Sequence, residues 1–317
     1  MTKLEKAVYK TLFHCFDIKP EDSLCILIDR ANRELGQIYL ERALKAKLEA
    51  FLLEIPSLDG RMSEPSSKVT KIVTQFSAKL TLTASCLIYS NLVQHARHNG
   101  ARIICINQPS QESLERAINV DYDFIKEKSQ RIADILSIGK QVDISAKNGT
   151  KITFKTIRHT SRVNIGLAQL PGELGILPAG EAAITPDQKG SEGVIVIDGS
   201  VTGIGLIQNP LEIQVKNGYA SQIFGGSEAE KLRRLLRSVG KKSRNVAELG
   251  IGTNPNAILT GSTSEDEKVL GTAHIGLGKP EFASGNSIEN FHLDLVIKKP
   301  TVTVEGYPIL KNGKLVL

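Results

Sequence analysis

The sequence predicts an α/β N-terminal domain on a parallel, doubly wound sheet, followed by an α+β C-terminal domain that carries a metal site. Three observations lead there. Over the first third of the chain, short apolar runs alternate with amphipathic helical stretches, the pattern of a sheet covered by helices on both faces. From about residue 140 the pattern switches to short alternating strands separated by Gly and Pro turns. Histidines and carboxylates separated by glycines then gather in the last quarter.

The elements follow in order. "MTKLEKAVYKTLFHCF" alternates charge with apolar residues at helical spacing, so it reads as a helix and not as a signal peptide. "SLCILI" is a buried strand, "NRELGQIYLERALKAKL" an amphipathic helix and "AFLLEI" a short strand. After a loop rich in Ser, Pro and Gly come a helix ("KVTKIVTQFSA"), a strand ("LTLTAS"), a helix ("NLVQHARHN") and a strand ("ARIICIN"). No GxGxxG or GxxxxGK[ST] follows the first strand, where "DRANRELG" stands, so this sheet reads as a scaffold or oligomerisation domain. Its His14, His95 and His98 fall on helices. The last two are i, i+3 neighbours without an acidic third ligand, which points to a solvated face.

Two helical stretches, "SQESLERAI" and "DYDFIKEKSQRIADILSIG", close the N-terminal part. "KQVDISAKNGTKITFKTI" then reads as a hairpin around Asn148-Gly149, with the type I′ turn that this dipeptide favours. The domains are therefore expected at 1–139 and 140–317. In the second, one basic helix interrupts the strands. Its run Lys231 to Asn245 holds no aromatic residue to stack a base, and its leucines recur at helical spacing, so it reads as a solvated helix face.

At 317 residues with 41% hydrophobic content, the chain can bury two medium cores. A net charge of +6 is modest for this length and demands neither nucleic acid nor membrane as partner. No run of some eighteen apolar residues exists to span a bilayer. Cys15, Cys25, Cys86 and Cys105 show no CxxC spacing and are expected reduced and buried, in a cytoplasmic compartment.

Function is written in the last quarter. In "FHLDLVI", His292 and Asp294 lie two apart, so on a strand both project to one face. They could grip one ion, or the aspartate could simply satisfy a buried histidine. Glu248, Glu267 and His274 precede them in glycine-punctuated stretches, and two of the chain's six histidines fall here, which favours ligands. Oxygen and imidazole donors without thiolate suit Zn²⁺, Mn²⁺, Co²⁺ or Fe²⁺. Upstream, Glu173 and Glu181 each follow a Pro-Gly or Pro-Ala-Gly turn, and Asp198 reads as a turn-forming residue.

The blocks "LPAGEAAITP", "VAELGIGTNP", "EDEKVLGTAHIGLG" and "NSIENFHLDLVI" resemble, in order, the metal-site blocks of the thermophilic aminopeptidase T/S family. The N-terminal half resembles it more diffusely, in "HNGARIICINQPSQESLERAINVDYDFI". The resemblance selects Glu181 over Glu173 and implies two divalent ions (Zn, Co or Mn, with Fe possible) held by Glu181, Glu248, Glu267, His274, His292 and Asp294. It implies an aminopeptidase that acts on short peptides through a metal-activated water, and a homodimer. Three departures stand against it. Glu281 takes the place of a tyrosine implicated in catalysis, seven residues after His274; the family's pair of adjacent acids is reduced to Gly180-Glu181; and His292 comes only 18 positions after His274. A ring-cleaving pyridinediol dioxygenase related to the same family uses one Fe²⁺ held by two His and one Asp. That gives the alternative expectation, and an inactive metal-binding homologue gives a third.

Overall fold

The structure is a computed structural model that describes residues 1–58, 64–157, 159–280 and 291–317. Its chain divides into two units, 1–120 with 164–179 and 121–163 with 180–317. The break thus comes before the helix Tyr122–Ile138, not after it as expected. That helix buries Ile132, Ala133 and Leu136 in the apolar core of the second unit, which explains its allegiance.

In the first unit, β1 (Ser23–Asp29), β2 (Glu49–Ile55), β3 (Ala78–Thr83) and β4 (Arg102–Asn107) are the four strands expected from the apolar runs. They lie parallel in the order β2-β1-β3-β4. β1, β3 and β4 are buried almost throughout, because helices such as Arg33–Lys45 and Asn91–His98 connect the strands and cover the sheet.

After the helix Tyr122–Ile138, the second unit continues with β5 (Gln141–Ser145), β6 (Lys151–Lys155) and β7 (Arg162–Asn164). β5 and β6 form the expected hairpin, but its turn is a longer loop than type I′. Only Gly149 there has positive φ, at 108°, while the Asn148 side chain donates to Val196 O (2.9 Å) and accepts from Thr150 N (3.0 Å). Side-chain anchoring of Asn148 has overridden the local dipeptide preference.

The chain then returns to the first unit for β8 (Leu174–Leu177), which adds a fifth parallel strand beside β4. This segment, for which the sequence analysis gives no strand, pairs with the open edge of β4. The rest builds two sheets: β9 (Glu181–Ile184), β10 (Ser191–Ile197), β11 (Ser200–Val201), β12 (Gly205–Leu206), β13 (Leu211–Lys216), β14 (Tyr219–Phe224), β15 (Val246–Gly252), β16 (Ala273–Gly278), β17 (His292–Ile297), β18 (Thr301–Val304), β19 (Tyr307–Lys311) and β20 (Lys314–Leu315). One sheet runs β14-β13-β10-β6-β5-β18-β19-β20 and the other β12-β11-β17-β16-β15-β9-β7.

Alternation decides what each face of the second sheet carries. Ala182 and Ile184, Leu249 and Ile251, Ile275 and Leu277, and Leu293 and Leu295 join Ile144, Phe154 and Ile195 of the other sheet in one core. With a side-chain period of two, the residues between them must face the other way. Those are Glu181, Glu248, His274, His292 and Asp294.

Candidate metal centre

Four adjacent strands, β9, β15, β16 and β17, thus carry five of the six expected ligands on one face. The sixth, Glu267, caps the C-terminus of the short helix Thr263–Asp266. The register is specific: each of the five pairs with a glycine of the next strand. Glu181 lies opposite Gly252, His274 opposite Gly250, Glu248 and Asp294 opposite Gly276, and His292 opposite Gly278. A Cβ on Gly250 would sit 2.1 Å from His274 Nε2, and one on Gly276 would sit 2.5 Å from His292 Cε1. Glycine here is the absence of a side chain where an imidazole must lie.

The six side chains form three overlapping sets whose ligand atoms lie within 4.8 Å of one another: Glu181, Glu248 and His274; Glu248, His292 and Asp294; Glu267, His274 and Asp294. Glu248 stands between the histidines, with Oε1 3.5 Å from His274 Nε2 and Oε2 3.5 Å from His292 Nε2. His274 Nε2 is also 2.9 Å from Glu181 Oε1, and His292 Nε2 is 3.0 Å from Asp294 Oδ1.

Two observations test whether these residues fit a metal ion. The Lys279 carbonyl, which can only accept, lies 2.8 Å from His292 Nδ1, so Nδ1 carries the proton. In the neutral ring Nε2 then presents a lone pair toward the acceptor Asp294, an arrangement that a shared cation resolves. Second, both ring nitrogens of His274 are buried without an aligned hydrogen bond, in a side chain that is fully buried. Buried polar atoms rarely remain so, and coordination would satisfy them. The donor set fits.

Electrostatics show how tightly the groups are coupled. Burial works against the charge on Glu181, yet the Lys268 ammonium and His274 hold its carboxyl well below the usual range. Burial raises Glu267 to about 8, with Asp294 and Glu181 adding to the rise and Lys268 opposing it. Burial opposes the charge on Asp294 as well, but His292 brings it down to about 2. His274 is raised well above an ordinary histidine, because the carboxylates of Glu181 and Glu248 outweigh its burial.

Reading the sequence for ligands missed two cations. Lys268, almost fully buried, pairs with Glu181 and lies 2.6 Å from Glu267, and Arg162 Nη2 lies 2.5 Å from Glu248 Oε2. Lys268 was visible in "EDEKVLG", directly after a ligand candidate, whereas nothing local marks Arg162. The other candidates fall elsewhere. Glu173 accepts from Gln169 N and Leu170 N as a turn acid, and Asp198 accepts from Lys298 N. His95 and His98 lie on the helix Asn91–His98 of the first unit. Glu281, expected where the aminopeptidases have tyrosine, lies outside the described residues.

A model of the family described as NicX, 2,5-dihydroxypyridine 5,6-dioxygenase, matches residues 3–317. The chain belongs to this family. Among solved structures, 2,5-dihydroxypyridine dioxygenase from Pseudomonas putida KT2440 is similar over 100% of this chain and 98% of that one, with 16% identity and a TM-score of 0.86. AmpT from Thermus thermophilus is similar over 99% of both chains, with 14% identity and a TM-score of 0.72. No curated protein matches. At these identities the two likenesses establish a shared fold. Membership of the dioxygenase family overturns the expectation of an aminopeptidase, and with it the hydrolase reading. Both solved structures share this fold, so a likeness to one group does not by itself separate it from the other. The structure holds carboxylate and imidazole groups that could bind a metal, and the two ions expected there are not shown.

Proposed function

We propose that this protein is a ring-cleaving dioxygenase that uses one Fe²⁺ and acts on a dihydroxypyridine or a closely related hydroxylated N-heterocycle. The observation that carries the reading is that Asp294 shares one three-residue set with His292 and another with His274, on neighbouring strands, in a chain of this family. Bound there, iron would supply the redox chemistry that joins the electron-rich ring to O₂.

The chain's own residues have definable parts in this. The Lys279 carbonyl fixes the His292 tautomer so that Nε2 faces the site. Asp294, held ionised beside His292, supplies the anionic ligand. Glu248, between the two imidazoles, is an acceptor for the proton that a ring hydroxyl gives up. Cleavage as the family description states it breaks the C5–C6 bond, and both atoms of O₂ enter the product. No external reductant is then required.

The carboxylates beyond Asp294 each bear an internal counter-charge: Lys268 on Glu181 and Glu267, and Arg162 on Glu248. They need not crowd a single ion. The test is anaerobic loading with Fe²⁺ and addition of 2,5-dihydroxypyridine and O₂. One O₂ should be consumed for each ring lost, and His292→Ala and Asp294→Ala should reduce turnover at least 100-fold. Absence of turnover on every hydroxylated pyridine tried, with iron bound, would overturn the assignment in favour of an inactive homologue.

A further inference from the structure

We infer that Lys268 occupies the place of a second metal ion and is the residue that limits this site to one. The inference rests on the one-ion reading above and adds the residue that enforces it.

Position is the first argument. The ammonium contacts Glu181 and Glu267, and each of these belongs to a different three-residue ligand set that includes His274. It therefore joins two groups of ligands as a bridging cation would. Its approach is fixed at the root, because Lys268 N donates to Glu265 O (2.9 Å) and Lys268 O accepts from Asn254 N (2.8 Å). With 2% of its surface exposed, it cannot swing into solvent to admit an ion.

Charge is the second argument. Counted with His274 neutral, as a metal ligand is, and all four carboxylates ionised, Glu181, Glu248, Glu267 and Asp294 bring four negative charges to a buried face, and Lys268 and Arg162 return two positive ones. The balance of two negative charges is what one divalent ion neutralises. A second ion would leave an uncompensated double positive charge among buried groups, which is costly in a low-dielectric setting. Neutralising Lys268 shifts the balance to three negative charges and frees oxygens of Glu181 and Glu267 together. A vacated cation position lined by carboxylates and an imidazole is what a divalent ion binds.

The test compares the wild-type protein with Lys268→Met and Lys268→Arg. Each is saturated with Mn²⁺ or Zn²⁺, freed of excess metal and assayed by elemental analysis and titration calorimetry. Wild type and Lys268→Arg should carry one ion per chain. Lys268→Met should carry two, with the second site at least about 100-fold tighter than any second binding to wild type. If wild type carries one ion and folded Lys268→Met also carries one, the inference falls and the one-ion reading stands. If wild type itself carries two ions, the one-ion reading falls and takes the inference with it. Should Lys268→Met fail to fold without metal, recovery in excess Zn²⁺ with two ions bound supports the inference. Failure to fold even then means that no ion replaces the ammonium, and overturns it.

Discussion

At the scale of single residues, the chain places ionisable groups where burial changes their chemistry. His292 shows this at the site, where one backbone carbonyl, Lys279 O, decides which ring nitrogen is open to a ligand. Lys79 shows it in the first unit, where the side chain is fully buried on β3 and its ammonium donates to Phe76 O. Burial pushes this lysine from an ordinary value down to about 8, with Cys25 partly opposing the fall. Its charged form is thus disfavoured in the folded state. Below pH 8 the penalty is fully present, and it is relieved as pH rises toward the unfolded value near 10.5. Lys79→Met should therefore stabilise the protein at pH 7, by up to about 3 kcal/mol on the linkage relation. The gain should shrink between pH 8 and 10.5, measured as the difference between urea unfolding curves of the two proteins. A constant difference across that range would show that the lysine is not titrating there.

At the scale of elements, the site is a property of strand pairing. Period-two alternation sends Leu249, Ile251, Ile275 and Leu277 to the core and Glu248, Gly250, His274 and Gly276 to the opposite face. Pairing then sets each ligand candidate beside a glycine. Gly250→Ala should accordingly displace the His274 imidazole, since the added carbon would fall 2.1 Å from Nε2. Metal affinity should drop at least 10-fold, with the far-UV spectrum of the strands retained. Gly250 has no positive φ, so the effect is steric and not a loss of backbone freedom. An alanine variant with unchanged affinity would mean that the histidine is not a ligand in this pose.

At the scale of the whole molecule, the second unit pairs a hydrophobic core on one side of a sheet with a dense charge cluster on the other. Such a cluster costs stability unless its charges are matched. A divalent ion that binds only the folded chain adds about 2.7 kcal/mol at a concentration 100-fold above its Kd. Chelation should therefore lower the melting temperature of the second unit by several degrees, and Fe²⁺, Mn²⁺ or Zn²⁺ should restore it. Calorimetry with and without chelator is the measurement. An unchanged melting temperature would show that the six side chains are satisfied without an ion. Among the described residues, no helix is long and apolar enough to cross a membrane.

The sequence by itself determined most of the local elements and a list of candidate ligands. Apolar-rich runs marked β1 to β4, most plainly β1 and β4, which are buried on both faces and largely apolar. The six ligand candidates stood out because carboxylates and imidazoles are unusual between apolar neighbours. It did not determine β8, whose strand conformation depends on the open edge of β4, nor the helix Tyr122–Ile138, whose unit is set by the core it buries. Nor could it fix the turn at Asn148, which is set by a hydrogen bond to Val196, forty-eight positions away. Above all, only the tertiary structure put Lys268 and Arg162 on the carboxylates. Their pairing reaches across up to 87 positions, and no spacing rule reports it. The same six candidate ligands suit one ion or two, and folding adds two cations to the charge balance, which matters because a buried site must be near neutral to be occupied.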